Sequence, residues 1–161
     1  MKDKTIQPLV PGRQRFIDKM GLYYENYGIP RIGGRIIGLI LTAEAPVSAE
    51  EIAGALLVSR SSVSTNIRLL QSAGFLEVFP GQGNRADCFV LSGDAWLNAI
   101  TARIEGFRTL KAIAAQGLCN PGVGESAAKM VQEMADWADA MVEGHLQIHQ
   151  EWMKRRETKE E

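Results

Sequence analysis

The chain has 161 residues, with 18 Lys+Arg against 19 Asp+Glu, a formal net charge of -1 and pI ≈ 6.2. That length suits one domain, or one small domain with helical extensions, and 45% hydrophobic with 23% charged residues argues against disorder. The charge balance argues against coating nucleic acid by bulk attraction, so any such contact has to come from a local basic patch.

Residues 1–11 are polar, carry Pro8 and Pro11, and read as a mobile arm. From Arg13 to Tyr27, Phe16, Met20, Tyr23/Tyr24 and Tyr27 recur at helical spacing. Gly28-Ile29-Pro30 ends that helix, and Pro30 suits the start of another, about Arg31 to Thr42. Gly33, Gly34 and Gly38 inside it each cost about 1 kcal/mol relative to Ala, which predicts close backbone packing against a neighbour. Glu44-Ala45-Pro46 reads as a loop. Ser48 and Glu51 then form a capping box for a short helix ending near Leu57, with Ile52, Ala53 and Leu56 inward. Ser59 is the next N-cap candidate, and a helix from Arg60 to Ser72 turns Val63, Ile67 and Leu70 inward and closes at Gly74.

The period then changes from helical to alternating. Residues 75–79 and 88–91 read as paired strands around a turn-rich tip from Pro80 to Arg85. The rest returns to helix. Trp96, Ile100, Ile104, Phe107, Leu110 and Ala114 make one stripe, a turn spans Gly117 to Gly124, and Met130, Met134, Trp137, Met141, Ile148 and Trp152 make another. About 30 residues of this last helix would reach roughly 45 Å, long enough to need a partner subunit to cover it.

The expected fold is mainly α with a small β-hairpin, a winged helix-turn-helix with N- and C-terminal dimerisation helices. Residues 1–29 are the arm and first dimerisation helix, 30–92 the DNA-binding region and 93–161 the C-terminal dimerisation region. A helix-turn-helix lays its second helix in the major groove. Here that helix shows Arg60, Ser61, Ser64, Thr65 and Arg68 opposite its apolar face, and no Asp or Glu occurs from Ser59 to Leu76. Ser59 and Ser62 complete the serine-rich start. Small hydroxyls allow close approach, and an arginine can pair bidentately with guanine. Gln82, Asn84 and Arg85 at the tip suit phosphate or minor-groove contact, with Asp87 a rival partner for Arg85. The same pattern also fits a winged helix that docks on protein without binding DNA.

Gly28-Ile29-Pro30-Arg31, Gly34-Arg35-Ile36-Ile37-Gly38 and Val58-Ser59-Arg60-Ser61-Ser62-Val63-Ser64 resemble the GbsR branch of the MarR-type transcriptional regulators. The likeness runs on through Leu69-Leu70, Gly74-Phe75, Gly83-Asn84-Arg85 and Trp96, and covers about residues 20–100. It implies a homodimeric regulator whose N- and C-terminal helices form the dimer interface; the chain as a whole reads as a repressor of transcription, released by a small-molecule effector. Choline-like osmolytes serve some relatives, but no ligand motif matches here, so that specificity does not carry over.

Other features carry less. His145 and His149 have metal-ligand spacing, but Leu146 follows His145, so this is not the zinc-protease motif; the expectation is no metal and no cofactor. Cys88 and Cys119 are too few for a disulfide framework; Cys88 reads as a packed thiol and Cys119 as an exposed one. Tyr23, Tyr24, Tyr27, Trp96, Trp137 and Trp152 suit core or interface better than an aromatic cage. No phosphate loop, nucleophile elbow or acid–base pair occurs, so the chain reads as a binder and not an enzyme. No apolar run approaches the ~20 residues of a membrane span and no signal core opens the chain. The expected setting is cytoplasmic, without a membrane. The expected partners are duplex DNA with an inverted-repeat site, a second copy of the chain and a small-molecule effector.

Overall fold

The computed structural model describes residues 10–81, 86–119 and 122–160. Most of the expected arm lies outside them, as do Gln82, Asn84 and Arg85 of the expected tip. In chain order the elements are α1 (Pro11–Glu25), α2 (Arg31–Leu41), β1 (Val47–Ser48), α3 (Ala49–Leu56), α4 (Arg60–Ser72), β2 (Leu76–Phe79), β3 (Cys88–Leu91), α5 (Ala95–Leu118) and α6 (Glu125–Glu160). They form two compact units, the first ending at Ala95 and the second starting at Trp96. No helix among the described residues is long and apolar enough to cross a membrane.

The first unit is built on two antiparallel helices in unusually close contact. Pro11, read from sequence as part of the arm, instead opens α1, where its missing N–H is no loss. At the crossing, a Cβ on Gly34 would lie 2.7 Å from the Met20 carbonyl oxygen and 2.9 Å from the Gly21 Cα. A Cβ on Gly38 would lie 3.1 Å from the Ile17 Cα. Only glycine fits at that approach, which answers two of the three glycines of α2. The third, Gly33, faces α4, where the Asn66 Oδ1 would stand 3.0 Å from a Cβ. The inward face of α1 is Ile17, Gly21 and Tyr24, while Phe16, Tyr23 and Tyr27 are exposed.

Polar contacts fasten the pair along its length. The Arg13 Nε donates to Thr42 Oγ1 at 2.8 Å and its Nη2 to the Leu39 carbonyl at 3.3 Å, which places a cation at the negative end of α2. Near the middle, Arg35 Nε lies 3.0 Å from Asp18 Oδ1 in an ion pair whose alignment falls short of a hydrogen bond. Ile17, Ile36, Ile37, Ile52, Leu56, Val63 and Leu70 are the largest fully buried side chains, and they join α1 to α4 in one core.

The sheet has three strands in the order β1-β3-β2, all antiparallel. β2 and β3 pair from Leu76 opposite Leu91 to Phe79 opposite Cys88. β1 was not expected from sequence. It is two residues long, too short to show a period, and it adds Val47 opposite Phe89 and Ser48 opposite Cys88.

Three helix ends close in the same way. The amides of Ile29, Val58 and Phe75 reach back to the carbonyls of Tyr24, Ala53 and Leu70, with Gly28, Leu57 and Gly74 at positive φ. Gly74 is where the sequence put it.

In the second unit, α5 and α6 run antiparallel. Gly117 approaches Val131, Lys111 Nζ lies 2.5 Å from Asp139 Oδ2, and the Phe107 ring meets His145 at 5.3 Å. On α5, Ile104 and Ala114 are buried, while Trp96 is exposed and its neighbour Leu97 is buried instead. The apolar stripe of α6 is wider than the helix beside it covers. Ala135 and Ala138 are buried, whereas Met130, Trp137 and Ile148 stay exposed.

Candidate nucleic-acid interface

The candidate surface starts from the turn between α3 and α4. Ser48 caps α3: its Oγ accepts from the Glu51 amide at 3.2 Å, and the Glu51 carboxylate accepts from the Ser48 amide at 2.9 Å. Ser59 caps α4, its Oγ accepting from the Ser62 amide at 3.2 Å. The Ser59 hydroxyl also donates to Ser62 Oγ at 2.9 Å and lies 3.0 Å from Ser61 Oγ. Ser59 and Ser62 are thus engaged in starting the helix.

Beyond the cap, Val63, Ile67 and Leu70 fix α4 to the core, and Ser61, Ser64, Thr65 and Arg68 share the exposed side. Their spacing of three, four and seven residues from Ser61 stacks them into one ridge. The Arg68 side chain bends back only weakly, with Nε 3.4 Å from the Ser64 carbonyl. Leu69 borders the ridge and is exposed as well. Asn66, not singled out from sequence, is buried: its Nδ2 donates to the Ser62 carbonyl at 2.9 Å and its Oδ1, facing Gly33, has no hydrogen-bond partner.

Arg60, at the first position of α4, has a partner that the sequence did not suggest. Its Nη2 lies 2.5 Å from Glu50 Oε1, with both side chains exposed. No carboxylate occurs within α4, yet one reaches its start from the first turn of α3. Ten residues and a left-handed turn separate the two, so no periodic spacing signals the pair.

The wing is fixed at its base. The Glu77 carboxylate accepts from the Ser92 hydroxyl, whose oxygen in turn accepts from the Asp94 amide at 3.3 Å. Asp87, named from sequence as a rival partner for Arg85, accepts from the Gly81 amide at 3.4 Å across the wing. Gln82, Asn84 and Arg85 themselves lie outside the described residues.

Elsewhere, His145 Nδ1 sits 2.6 Å from the Met141 carbonyl and its ring packs on Phe107, which also meets Trp137 edge-on. Tyr24 packs edge-on against Phe75, and burial, reinforced by Tyr23, pushes its phenol up to about 12.

No protein-family model matches the chain. It is 34% identical over 109 residues to the HTH-type transcriptional regulator MmpR5 of Mycobacterium tuberculosis (strain ATCC 25618 / H37Rv), covering 67% of this chain and 66% of that protein, just short of two thirds of its length. A crystal structure described as a transcriptional regulator superposes with a TM-score of 0.78 at 29% identity, over 89% of this chain and 99% of that one. A MarR/EmrR family transcriptional regulator from Acinetobacter sp. ADP1 gives a TM-score of 0.41 at 16% identity, over 83% and 89%.

Proposed function

We propose that this chain, which has the winged-helix fold of the MarR-type transcriptional regulators, is a sequence-specific regulator that lays α4 in the major groove of duplex DNA. The observation that carries the reading is the ridge of Ser61, Ser64, Thr65 and Arg68, exposed together on a helix whose other face is locked into the core. A rigid helix with short hydroxyls and arginines outward can approach base edges closely, and its cap leaves the amides of its first turn near phosphate. The likeness to named transcriptional regulators supports the same reading.

The chemistry is binding without catalysis. Arg60 and Arg68 read bases or flanking phosphates, Ser61, Ser64 and Thr65 donate to the backbone or base edges, and Ser59 and Ser62 hold the helix start. Gln82, Asn84 and Arg85 of the wing meet the neighbouring backbone or minor groove. A second copy of the chain supplies the other half-site, the regulation is repression in the manner of the GbsR-like branch, and a small molecule releases the DNA.

Fluorescence anisotropy with genomic duplex fragments across a salt series tests the reading. Specific binding should appear, Arg60→Ala should weaken it by about 1–3 kcal/mol and relax one position per half-site. Arg85→Ala should weaken all sequences alike and make the log–log salt slope shallower by about 1 per subunit. No sequence preference at any salt would favour the protein-docking winged helix instead.

A further inference from the structure

We propose that Glu50 is a positioning residue for sequence discrimination: its carboxylate on α3 holds the Arg60 guanidinium in a base-reading direction and away from phosphate. This rests on the DNA-binding reading above. Arg60 occupies the first position of α4, where the helix dipole is positive and a cation is disfavoured. The helix does not need it there, since Ser59 already caps the end. Glu50, by contrast, stands in a first turn whose backbone is fixed next door by the Ser48–Glu51 box. The pair closes at 2.5 Å while the side chains remain 78% and 73% exposed. A pair so open to solvent contributes little to folding. What it does is restrict a flexible side chain. A guanidinium has five N–H donors, so the nitrogens that Glu50 leaves free still offer a fork to guanine. Released from Glu50, the same arginine would swing to any phosphate, which strengthens binding to all sequences equally.

The test starts from the duplex that the wild-type protein enriches from a randomised pool, compared with a scrambled duplex by anisotropy over a salt series. Glu50→Gln should melt within a few degrees of wild type, since it gives up only a first-turn carboxylate. It should bind the scrambled duplex about three- to fivefold tighter and the enriched site within about twofold, so that the specificity ratio falls. Its salt slope on the scrambled duplex should steepen by about 1 per subunit. Glu50→Asp keeps the charge but is one methylene too short to close the pair, and it should lose discrimination in the same way. In an Arg60→Ala background, Glu50→Gln should change the ratio no further. An unaltered ratio in Glu50→Gln, a wild-type ratio in Glu50→Asp or an equal fall without Arg60 would each overturn the positioning role. A wild-type protein that enriches no sequence would overturn the DNA-binding reading along with it.

Discussion

Leu57 holds φ 54, the one positive φ outside glycine among the described residues. It fills the position that Gly28 and Gly74 fill at the other two helix ends closed the same way. A left-handed backbone costs an L-residue about 1–2 kcal/mol, and Gly pays back roughly 0.5–1 of that in unfolded-state entropy. Leu57 is 91% exposed, so its side chain buries nothing in compensation. Leu57→Gly should therefore raise stability by about 0.5–1 kcal/mol, read as a higher urea midpoint. Tyr24 makes a second prediction at this scale. Its phenol is raised from 10.0 to about 12, chiefly by burial. Above pH 10 the unfolded chain loses that proton while the folded one keeps it, so stability is full below pH 10 and is lost as pH rises towards 12. Wild type should lose roughly 1–2 kcal/mol more than Tyr24→Phe over that interval, measured by urea titration at stepped pH. The caps at Ser48 and Ser59 were legible because capping chemistry is local. Leu57 was not, since a leucine carries no signal for a left-handed turn, and neither was the Glu50–Arg60 pair across it.

Among the elements, the α1–α2 crossing decides most. Adding a methyl at Gly34 would push against the Met20 carbonyl and the Gly21 backbone, neither of which is a flexible side-chain end. Helix propensity favours the change by about 1 kcal/mol, but overpacking of this kind costs about 1–3. Gly34→Ala should come out destabilising by up to about 2 kcal/mol in thermal melts, while Gly12→Ala, with nothing within 4 Å, should keep the propensity gain and stabilise by up to about 1 kcal/mol. The bounds of α4 and the pairing of residues 88–91 were legible from period and turn residues. β1 was not, because two residues show no alternation and their strand character comes only from pairing with β3.

For the whole molecule, the last helix carries the apolar stripe that its three- and four-residue spacing predicts, but α5 covers only one side of it. Met130, Trp137 and Ile148 remain exposed along the other edge, and so are Phe16 and Tyr23 on α1 and Tyr27 in the turn after it. Faces of this kind are what a subunit interface covers. Light scattering at low micromolar concentration should give a dimer mass, and Trp137→Glu should shift it towards the monomer. A two-fold dimer should prefer inverted repeats with half-sites about one turn, ~10 bp, apart, and a monomer binding single half-sites equally well would contradict it. The uncovered face was legible only as a surplus of apolar residues, because which part of a stripe stays uncovered depends on packing against α5.

The 36 residues of α6 form one unbroken helix, about 54 Å long. Along it, position and direction are linked as on a screw thread. Met130, Trp137 and Ile148 fall on one line only because seven and eleven residues are close to whole numbers of turns. Deleting one residue between Trp137 and Ile148 would swing everything beyond by about 100° and scatter that line without breaking a helical hydrogen bond. Deleting seven would turn it by only about 20° and draw the far end in by about 10 Å. The length of the rod can thus be shortened in whole heptads, while its facing tolerates no single step.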